Sequence, residues 1–432
     1  MDTKRLELAR LFQRFAFGPK PGEFASALKN GVPATRQLIL AGPTTNSGLA
    51  LLPDLVLSDL GPRPAIGNPD LVPFTLTMRQ QGIDLTLWWL DRMALTDYPL
   101  QERMTWFWHG HWATAIAKLN HALPMLNQNK TFRTYALGNF EEFSLAMLND
   151  GALQFWLDNQ DNTAAAPNEN LARELMELFL LGVNRYTEDD VKALAKILTG
   201  YQVVRSNGAV SFNPKRHDTS VVTFLGRTEQ FTAESAVRYL VSRSDCAQFI
   251  SERLWYRFIS SDVALPASAN LPASFTTRSV NSLVTALMQN DAMRDPKYAA
   301  VKPPVEWFIA VCRAFNLQPS KLEKSEQALG FLEKLSQLPF QPPNVGGWPA
   351  GEAWLNTASS QYRLLFASYL VKQANLNEIG KLPIQQRPAY LADLLGVAEW
   401  STRTYIALTN VNGDVTRTVQ LALCSPEFVV SA

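Results

Sequence analysis

The sequence predicts a mainly α, multi-helical globular body with one small β-hairpin insertion near residues 201–225. Apolar residues recur at three- and four-residue spacing along most of the chain, as they do in amphipathic helices. Hydrophobic residues make up 47% of the 432 residues and charged residues only 18%, so a large share of the chain should be interior. The strongest strand pattern surrounds a single Asn-Gly turn, which is typical of a hairpin.

Helical and irregular segments alternate in the first part of the chain. A first helix is predicted from residue 6 and ends at Gly18-Pro19. Residues 42–73 are punctuated by glycine and proline, which predicts a long irregular excursion that acts as a lid or a linker. Helices are then predicted at residues 101–119 and 131–148, where apolar periodicity resumes.

The middle of the chain should carry another helix and then the β insertion. A helix is predicted at residues 169–181, and the next should begin at Thr187, with Asp190 in the capping-box position. Residues 201–204 and 209–212 flank the Asn-Gly turn and predict two strands, and residues 221–225 could add a third. The remainder reads as helical, interrupted by a proline- and glycine-rich loop at residues 341–349 that could wall a ligand pocket or simply connect two helices.

We therefore expect one helical domain over residues 1–432. Its possible subdomains are N-terminal helices with an irregular arm (1–73), central helices that carry a candidate site (74–200), a β insertion (201–226) and C-terminal helices (227–432).

Charge and composition restrict the function classes. Forty Lys and Arg residues against 39 Asp and Glu residues give a net charge of +1 without a basic cluster, so nucleic acid is not an expected partner. No apolar stretch is long enough to span a membrane, and the first residues lack the apolar core of a signal peptide. Three widely spaced cysteines form no disulfide pattern, which favours a reducing compartment, and a cytoplasmic location is expected for the chain as given.

Histidines mark the first candidate site. Three of the four histidines, His109, His111 and His121, fall within 13 residues, and His217 is followed directly by Asp218. Histidine is the commonest metal ligand and the usual proton shuttle near neutral pH. On a regular helix His109 and His111 lie roughly 200° apart, so they cannot share one ion unless the helix is distorted. The alternative is that both cap an aromatic core and bond to the backbone.

Acidic residues mark the second candidate site. Asn170, Glu174 and Glu177 follow i, i+4, i+7 spacing and should share one helix face, with Arg173 beside them. Glu177 lies in an otherwise apolar run, so a buried carboxylate could act as general base or metal ligand. The alternative is an Arg–Glu network that joins two helices.

Together these motifs resemble the bacterial domain-of-unknown-function family numbered eighteen hundred, over essentially the whole chain. The segments that carry the resemblance are residues 11–19, 107–112 (Phe-Trp-His-Gly-His-Trp), 168–175, 181–182, 186–191, 198–201, 217–218, 342–349 and 425–428. The resemblance implies a mostly helical protein and implies no activity. Relatives usually carry Asn where Gly110 stands here, and Gly and Lys near Ser220 and Val222. Many relatives are similar to exported proteins, which bears on the expected location.

Two functions follow as hypotheses. The first is a metal-dependent or acid–base enzyme, hydrolase-like, acting on an unknown small molecule. Its predicted residues are Glu174, Glu177, Arg173 and Asp218 as catalytic groups and His109, His111, His217 and Asn170 as metal ligands. Nitrogen and oxygen ligands would favour Zn, Mn or Fe. The second is a non-catalytic helical scaffold that binds a protein partner and whose polar stripe is a structural network.

Overall fold

The computed structural model describes residues 2–411 and 413–431, and it confirms a mainly α architecture with small β-hairpins. The helices of the first half are α1 (Thr3–Phe15), α2 (Glu23–Asn30), α3 (Val32–Ala41), α4 (Leu71–Leu95), α5 (Pro99–His111), α6 (Ile116–Leu119), α7 (Ala122–Thr134), α8 (Phe140–Leu148), α9 (Gly151–Trp156), α10 (Asn170–Glu174) and α11 (Glu188–Ile197). The helices of the second half are α12 (Ala233–Ser242), α13 (Ser244–Phe258), α14 (Val280–Gln289), α15 (Pro304–Ala314), α16 (Ser325–Lys334), α17 (Thr357–Val371), α18 (Asn377–Lys381), α19 (Arg387–Leu395), α20 (Thr402–Thr409), α21 (Val415–Leu423) and α22 (Pro426–Val429).

The β structure consists of two-stranded antiparallel pairs. The predicted hairpin is confirmed as β1 (Tyr201–Val204) and β2 (Ala209–Phe212), with Tyr201 opposite Phe212. The predicted third strand forms as β3 (Val222–Phe224), but it pairs with β4 (Arg227–Glu229) in a separate hairpin. A last pair joins β5 (Ala300–Val301) to β6 (Val430–Ser431), which ties the end of the chain to its middle.

The single helix predicted at residues 101–119 is wrong. Helix α5 ends at His111, and α6 begins at Ile116 after four non-helical residues. The backbone N–H of Ile116 donates to the carbonyl of Phe340 at 2.9 Å instead of continuing the helical ladder. A contact with a distant segment therefore fixes the start of α6, although the apolar periodicity continues from α5.

The helix predicted at residues 131–148 is also wrong in its bounds. Helix α7 starts earlier, at Ala122, and ends at Thr134, while α8 starts at Phe140. The side chain of Asn139 accepts from the backbone N–H groups of Glu141 and Glu142, at 2.8 and 3.2 Å, and so caps a new helix. Apolar residues continue on both sides of Asn139, so their spacing alone does not show that one helix ends and another begins there.

The helix predicted at residues 169–181 forms in two parts. Helix α10 runs into a π-helical turn, Leu175–Leu180, in which the N–H of Leu181 reaches back to the carbonyl of Met176 at 2.9 Å. The capping box of Thr187 and Asp190 at the start of α11 is confirmed. The π-turn widens the helix beside the predicted acidic stripe, so the side-chain spacing there differs from that of a regular helix.

Two apolar clusters form the core, and α5 contributes to both. Phe107 and Trp108 belong to the first cluster, with α1, α8 and α13. Trp106 belongs to the second, with α4, α15 and Trp348. The last turns of α5 therefore lie at the junction of the two clusters, which places the 107–112 motif deep in the molecule.

Between α3 and α4 the chain is irregular apart from a short helical turn at Ser47–Leu49, and α4 begins at Leu71, within the predicted arm. The indole of Trp88 donates to the carbonyl of Pro53 at 3.1 Å, and a ring nitrogen of His121 lies 2.9 Å from the carbonyl of Gly61. These contacts hold the arm against the body. Among the described residues, no helix is both long and apolar enough to cross a membrane.

Candidate functional site

A small recess lies where the end of α5 meets α13 and the 341–349 loop. Its volume is about 30 Å³. It adjoins a cleft of about 930 Å³ between α13 and the loop, and Arg253, Tyr256 and Trp348 line both spaces. Of the predicted residues, His111 lines the recess.

Local sequence explains how α13 presents its side chains to this recess. Arg253, Tyr256 and Arg257 follow i, i+3, i+4 spacing and therefore share one face of the helix. Leu254 and Phe258 are buried and hold the helix in the first apolar cluster. The polar face is thus fixed toward the recess by apolar packing behind it.

The loop is held against α5 by a close contact between two glycines. Gly347 has a φ of +80°, and a Cβ added there would lie 2.1 Å from the carbonyl oxygen of Gly110. Only glycine fits this approach without displacing the backbone. The contact brings the ring of Trp348 onto that of Trp106, with ring centroids 5.0 Å apart and an interplanar angle of 29°.

Three N–H donors of the recess residues are buried without an acceptor among the described residues. They are the Nε of Arg253 and the indole Nε1 atoms of Trp106 and Trp348. Trp106 is 1% exposed and Trp348 is 8% exposed, so bulk water does not reach these groups easily. A buried donor without a partner costs about 1–3 kcal/mol of stability. Three such donors around one recess therefore indicate that an acceptor binds there.

His111 supplies an acceptor to the same recess. Its Nε2 lies 2.9 Å from the carbonyl of Phe179, and because a carbonyl only accepts, we infer that this nitrogen carries the proton. Burial, and then the nearby charge of Arg253, lowers the pKa of His111 to about 3, so the ring is neutral at neutral pH. Its Nδ1 therefore presents a lone pair, and this atom has no partner within the described part of the chain.

Positive charge exceeds negative charge around the recess. Glu306 approaches Arg103 at 3.0 Å and Arg257 at 3.5 Å, so one carboxylate serves two guanidinium groups. Arg253 makes no ion pair with any residue that the structure describes. Burial, and then Arg257, lowers the pKa of Arg253, as expected for a cation without a counter-ion. An anion at this point would be stabilised.

His109 lies on the other side of α5 and serves a different purpose. Its Nε2 accepts from the backbone N–H of Phe340 at 2.9 Å, and its ring lies 5.3 Å from that of Trp89. Burial lowers its pKa to about 3. His109 and His111 therefore point into different surroundings, as their two-residue spacing predicts.

The predicted acidic stripe lies on the surface of α10 and the π-turn. Arg173 pairs with Glu188 at 2.7 Å and with Glu169 at 3.0 Å, not with Glu177. The hydroxyl of Tyr186 donates to Glu177. Burial, and then Glu177, raises the pKa of Glu174.

Asn170 is exposed at the start of α10. Its side chain donates to Asp158 at 3.4 Å, a long hydrogen bond, and its backbone N–H donates to the side chain of Asn168 at 2.9 Å. These contacts belong to the start of a helix.

His217 and Asp218 close the loop after the β1–β2 hairpin. The Nδ1 of His217 lies 3.0 Å from the carbonyl of Thr199, and the N–H of Asp218 donates to the hydroxyl of Thr199 at 2.8 Å. Hydrogen bonding to Ser220, first of all, lowers the pKa of Asp218. In the described residues, no group of three or more His, Cys, Asp or Glu side chains could hold a metal ion. The predicted catalytic and ligating roles stay predictions.

Sequence reasoning missed Arg253, Tyr256, Arg257 and Trp106, although it had considered Trp348 as part of a pocket wall. The available signal was weak: two arginines and a tyrosine on one face of an amphipathic helix, a pattern that surface helices share. Nothing near α13 in the sequence links it to the 107–112 motif, because only the fold brings them together.

A family model described as "Protein of unknown function (DUF1800)" matches residues 10–430. No curated protein and no solved structure matches the chain significantly.

Proposed function

The chain belongs to the DUF1800 family of proteins of unknown function, and from its recess we propose that it binds a small organic anion. The carboxylate of this ligand enters the recess, and the rest of the molecule lies in the adjoining cleft. The observation that carries the proposal is Arg253, a guanidinium without an ion-pair partner among the described residues, beside the indole donors of Trp106 and Trp348.

Size favours a carboxylate. A cavity of about 30 Å³ has room for roughly two or three non-hydrogen atoms, since one water needs about 10–15 Å³ of such volume. A planar carboxylate has three, and it can continue through its carbon into the adjoining cleft, which sulfate and phosphate cannot. Water could satisfy the hydrogen bonds, but it would not neutralise the guanidinium charge. Arginine also matches the geometry of a carboxylate with paired donors.

The cleft outside the recess has the size and lining of a ligand site. Its volume of about 930 Å³ is in the range of small-molecule pockets. Phe249, Tyr256, Val263 and Leu265 give it apolar walls, and Asn344 and Asp262 add polar groups. A ligand with an apolar body and a terminal carboxylate fits both spaces.

Isothermal titration calorimetry with 3-phenylpropionate tests the proposal, with sulfate and phosphate as comparison anions. We expect binding of 3-phenylpropionate to the unmodified chain and a loss of at least tenfold in affinity in Arg253→Met. Arg238→Met is the matched control, because this arginine is exposed and pairs with Glu141 elsewhere on the surface. Equal affinity in Arg253→Met and the unmodified chain would contradict the proposal.

Gly110→Ala offers a second, purely steric test. A Cβ at Gly110 lies 3.9 Å from the ring of Trp348, an ordinary contact, so the added methyl fits the fold but occupies the recess. We expect a folded variant that no longer binds 3-phenylpropionate, although every charge is retained. Undiminished binding would show that the carboxylate lies elsewhere.

A second candidate is acid–base chemistry at the acidic stripe. It is favoured by the raised pKa of Glu174 beside Glu177 and by the hydroxyl of Tyr186 on Glu177. Glu174→Gln would abolish such an activity while the Arg173 ion pairs persist. Elemental analysis of untagged protein tests the metal prediction: about one equivalent of a transition metal would support it, and metal-free protein that cannot be loaded would contradict it.

A further inference from the structure

We infer that the ligand of this recess carries a neutral hydrogen-bond donor on the carbon next to its carboxylate, as a 2-hydroxy acid or an N-acyl amino acid does. This inference rests on the proposed function and names the ligand class of the same site. It comes from the unpaired acceptor beside these donors, the Nδ1 of His111.

The hydrogen bond to Phe179 fixes the role of this acceptor. Because the Nε2 of His111 donates to the Phe179 carbonyl at 2.9 Å, the neutral ring has its lone pair on Nδ1. His111 is 2% exposed, and its Nδ1 meets no donor within residues 2–411 and 413–431. A bare carboxylate offers only acceptors, so it would leave this lone pair unsatisfied and face it with a second lone pair.

A donor beside the carboxylate resolves this conflict. The carboxylate accepts from Arg253 and from the indole groups of Trp106 and Trp348, and a hydroxyl or amide on the neighbouring carbon donates to His111. Such a ligand satisfies all four unpaired groups of the recess at once, which a simple fatty or aryl acid does not.

Charge excludes an ammonium as this donor. The recess already contains Arg253 and Arg257, and Arg103 shares its single carboxylate, Glu306, with Arg257. A positive ammonium would be repelled by these guanidinium groups. The donor should therefore be uncharged, which favours a hydroxyl or an amide N–H over a free amino group.

The remainder of the ligand is apolar. Outside the recess the cleft is walled by Phe249, Val263, Leu265 and Pro343, and Tyr256, at 40% exposure, stands at its edge. A benzyl-sized or branched aliphatic group suits these walls. Ligands that share a phenyl group therefore test the need for a donor next to the carboxylate, because the rest of the ligand stays the same.

A series of four ligands on the full chain tests the inference by calorimetry. The ligands are 3-phenylpropionate with no donor, 3-phenyllactate with a hydroxyl, N-acetyl-phenylalanine with an amide N–H, and phenylalanine with an ammonium. We expect 3-phenyllactate, N-acetyl-phenylalanine or both to bind about tenfold more tightly than 3-phenylpropionate, and phenylalanine to bind less tightly than the better of them. The tighter of the two middle ligands identifies the source of the donor.

His111→Phe provides the matched variant, because it keeps an aromatic ring stacked on Phe107 and removes the acceptor. We expect it to bind 3-phenyllactate and 3-phenylpropionate equally. If this variant does not fold, the comparison of the four ligands in the unmodified chain still tests the inference. Equal affinity of that chain for all four ligands would overturn the inference and leave the proposed function intact. No binding of any carboxylate would overturn both.

Discussion

The two neighbouring histidines of α5 show how residue-scale surroundings assign opposite roles to the same side chain. His109 accepts a backbone N–H from Phe340, so its neutral ring carries the proton on Nδ1. His111 donates to the carbonyl of Phe179, so its neutral ring has a lone pair on Nδ1. Burial lowers the pKa of each to about 3. Both rings therefore act as fixed, uncharged hydrogen-bonding groups at neutral pH.

Acid should destabilise the chain through these histidines. Their pKa is about 3 when folded, against an ordinary value of 6.5, so the unfolded chain binds more protons between these values. The contribution of the two histidines to the free energy of unfolding should be at its full value above pH 6.5 and should fall as the pH drops toward 3. Urea unfolding at intervals from pH 7.5 to 4.5 measures this slope. His111→Phe should reduce the slope, and an unchanged slope would contradict the neutral, buried ring.

Asp150 should change the pH dependence of stability in the opposite direction to the histidines. Its carboxylate accepts from the backbone N–H of Leu153 and from the side chain of Gln128, both at 2.8 Å, and burial raises its pKa to about 6 from an ordinary 3.8. The folded chain therefore binds the extra proton, and this contribution to stability grows as the pH falls from 6 to 4, by up to about 3 kcal/mol.

Asp150→Asn isolates that contribution, because asparagine keeps the accepting oxygen and cannot ionise. The difference in the free energy of unfolding between Asp150→Asn and the unmodified chain should be largest at neutral pH, where the variant is more stable. It should shrink toward pH 4. Both proteins contain the same histidines, so the histidine contribution to the pH dependence cancels in this difference. A difference that does not change with pH would contradict the raised pKa.

At the scale of elements, the site depends on how closely the 341–349 loop approaches α5. Gly347→Ala should destabilise the fold, because its Cβ would lie 2.1 Å from the carbonyl of Gly110 and its φ of +80° disfavours any side chain. We expect a loss of about 2–4 kcal/mol, roughly 1–2 from the left-handed backbone and the rest from displacing the loop. Urea unfolding measures it.

Gly226→Ala is the control for the backbone contribution. Gly226 has a φ of +82°, and an added Cβ meets no atom of the described residues within 4 Å. Gly226→Ala should therefore lose only the stability that the left-handed backbone costs, roughly 1–2 kcal/mol. Gly110→Ala, in contrast, lies in helical backbone and should be neutral or stabilising by about 0.5–1 kcal/mol. Equal losses in Gly347→Ala and Gly226→Ala would contradict the close packing of loop and helix.

The same scale shows where sequence reasoning succeeded and where it failed. Local signals predicted the hairpin around its Asn-Gly turn and the capping box at Thr187, because both depend on residues a few positions apart. The start of α6, in contrast, is held by a hydrogen bond from Ile116 to Phe340, which are 224 positions apart, and periodicity contains no such information. Apolar spacing identifies helices well and their breaks poorly.

The candidate site was predictable only in part for a related reason. The 107–112 motif and the 341–349 loop attract attention through rare residues, and they do meet, at Gly110 and Gly347. Arg253 lies in an ordinary amphipathic helix, and its significance depends on having no ion-pair partner within the described chain. A missing partner is a property of the three-dimensional packing, so the sequence could not reveal it.

At the scale of the whole molecule, one buried arginine connects the start, the middle and the end of the chain. Arg14 on α1 is 3% exposed and donates to the backbone carbonyls of Ile259 and Ser431, each at 2.8 Å, and of Tyr298 at 2.5 Å. Ile259 directly follows α13, the helix that presents Arg253 to the recess. The position of that helix is therefore coupled to the packing of both chain ends.

Arg14→Met should test this coupling, because it keeps much of the side-chain volume and removes the donor of the Ile259, Tyr298 and Ser431 carbonyls. We expect the free energy of unfolding to fall by about 3 kcal/mol, because each buried carbonyl left without a donor costs about 1–3 kcal/mol and part of this loss is offset when the buried charge is removed. Urea unfolding followed by circular dichroism measures this loss. Arg238→Met, at an exposed ion pair with Glu141, should change stability by less than about 0.5 kcal/mol. Similar small losses in both variants would mean that apolar packing alone joins the chain ends to α13.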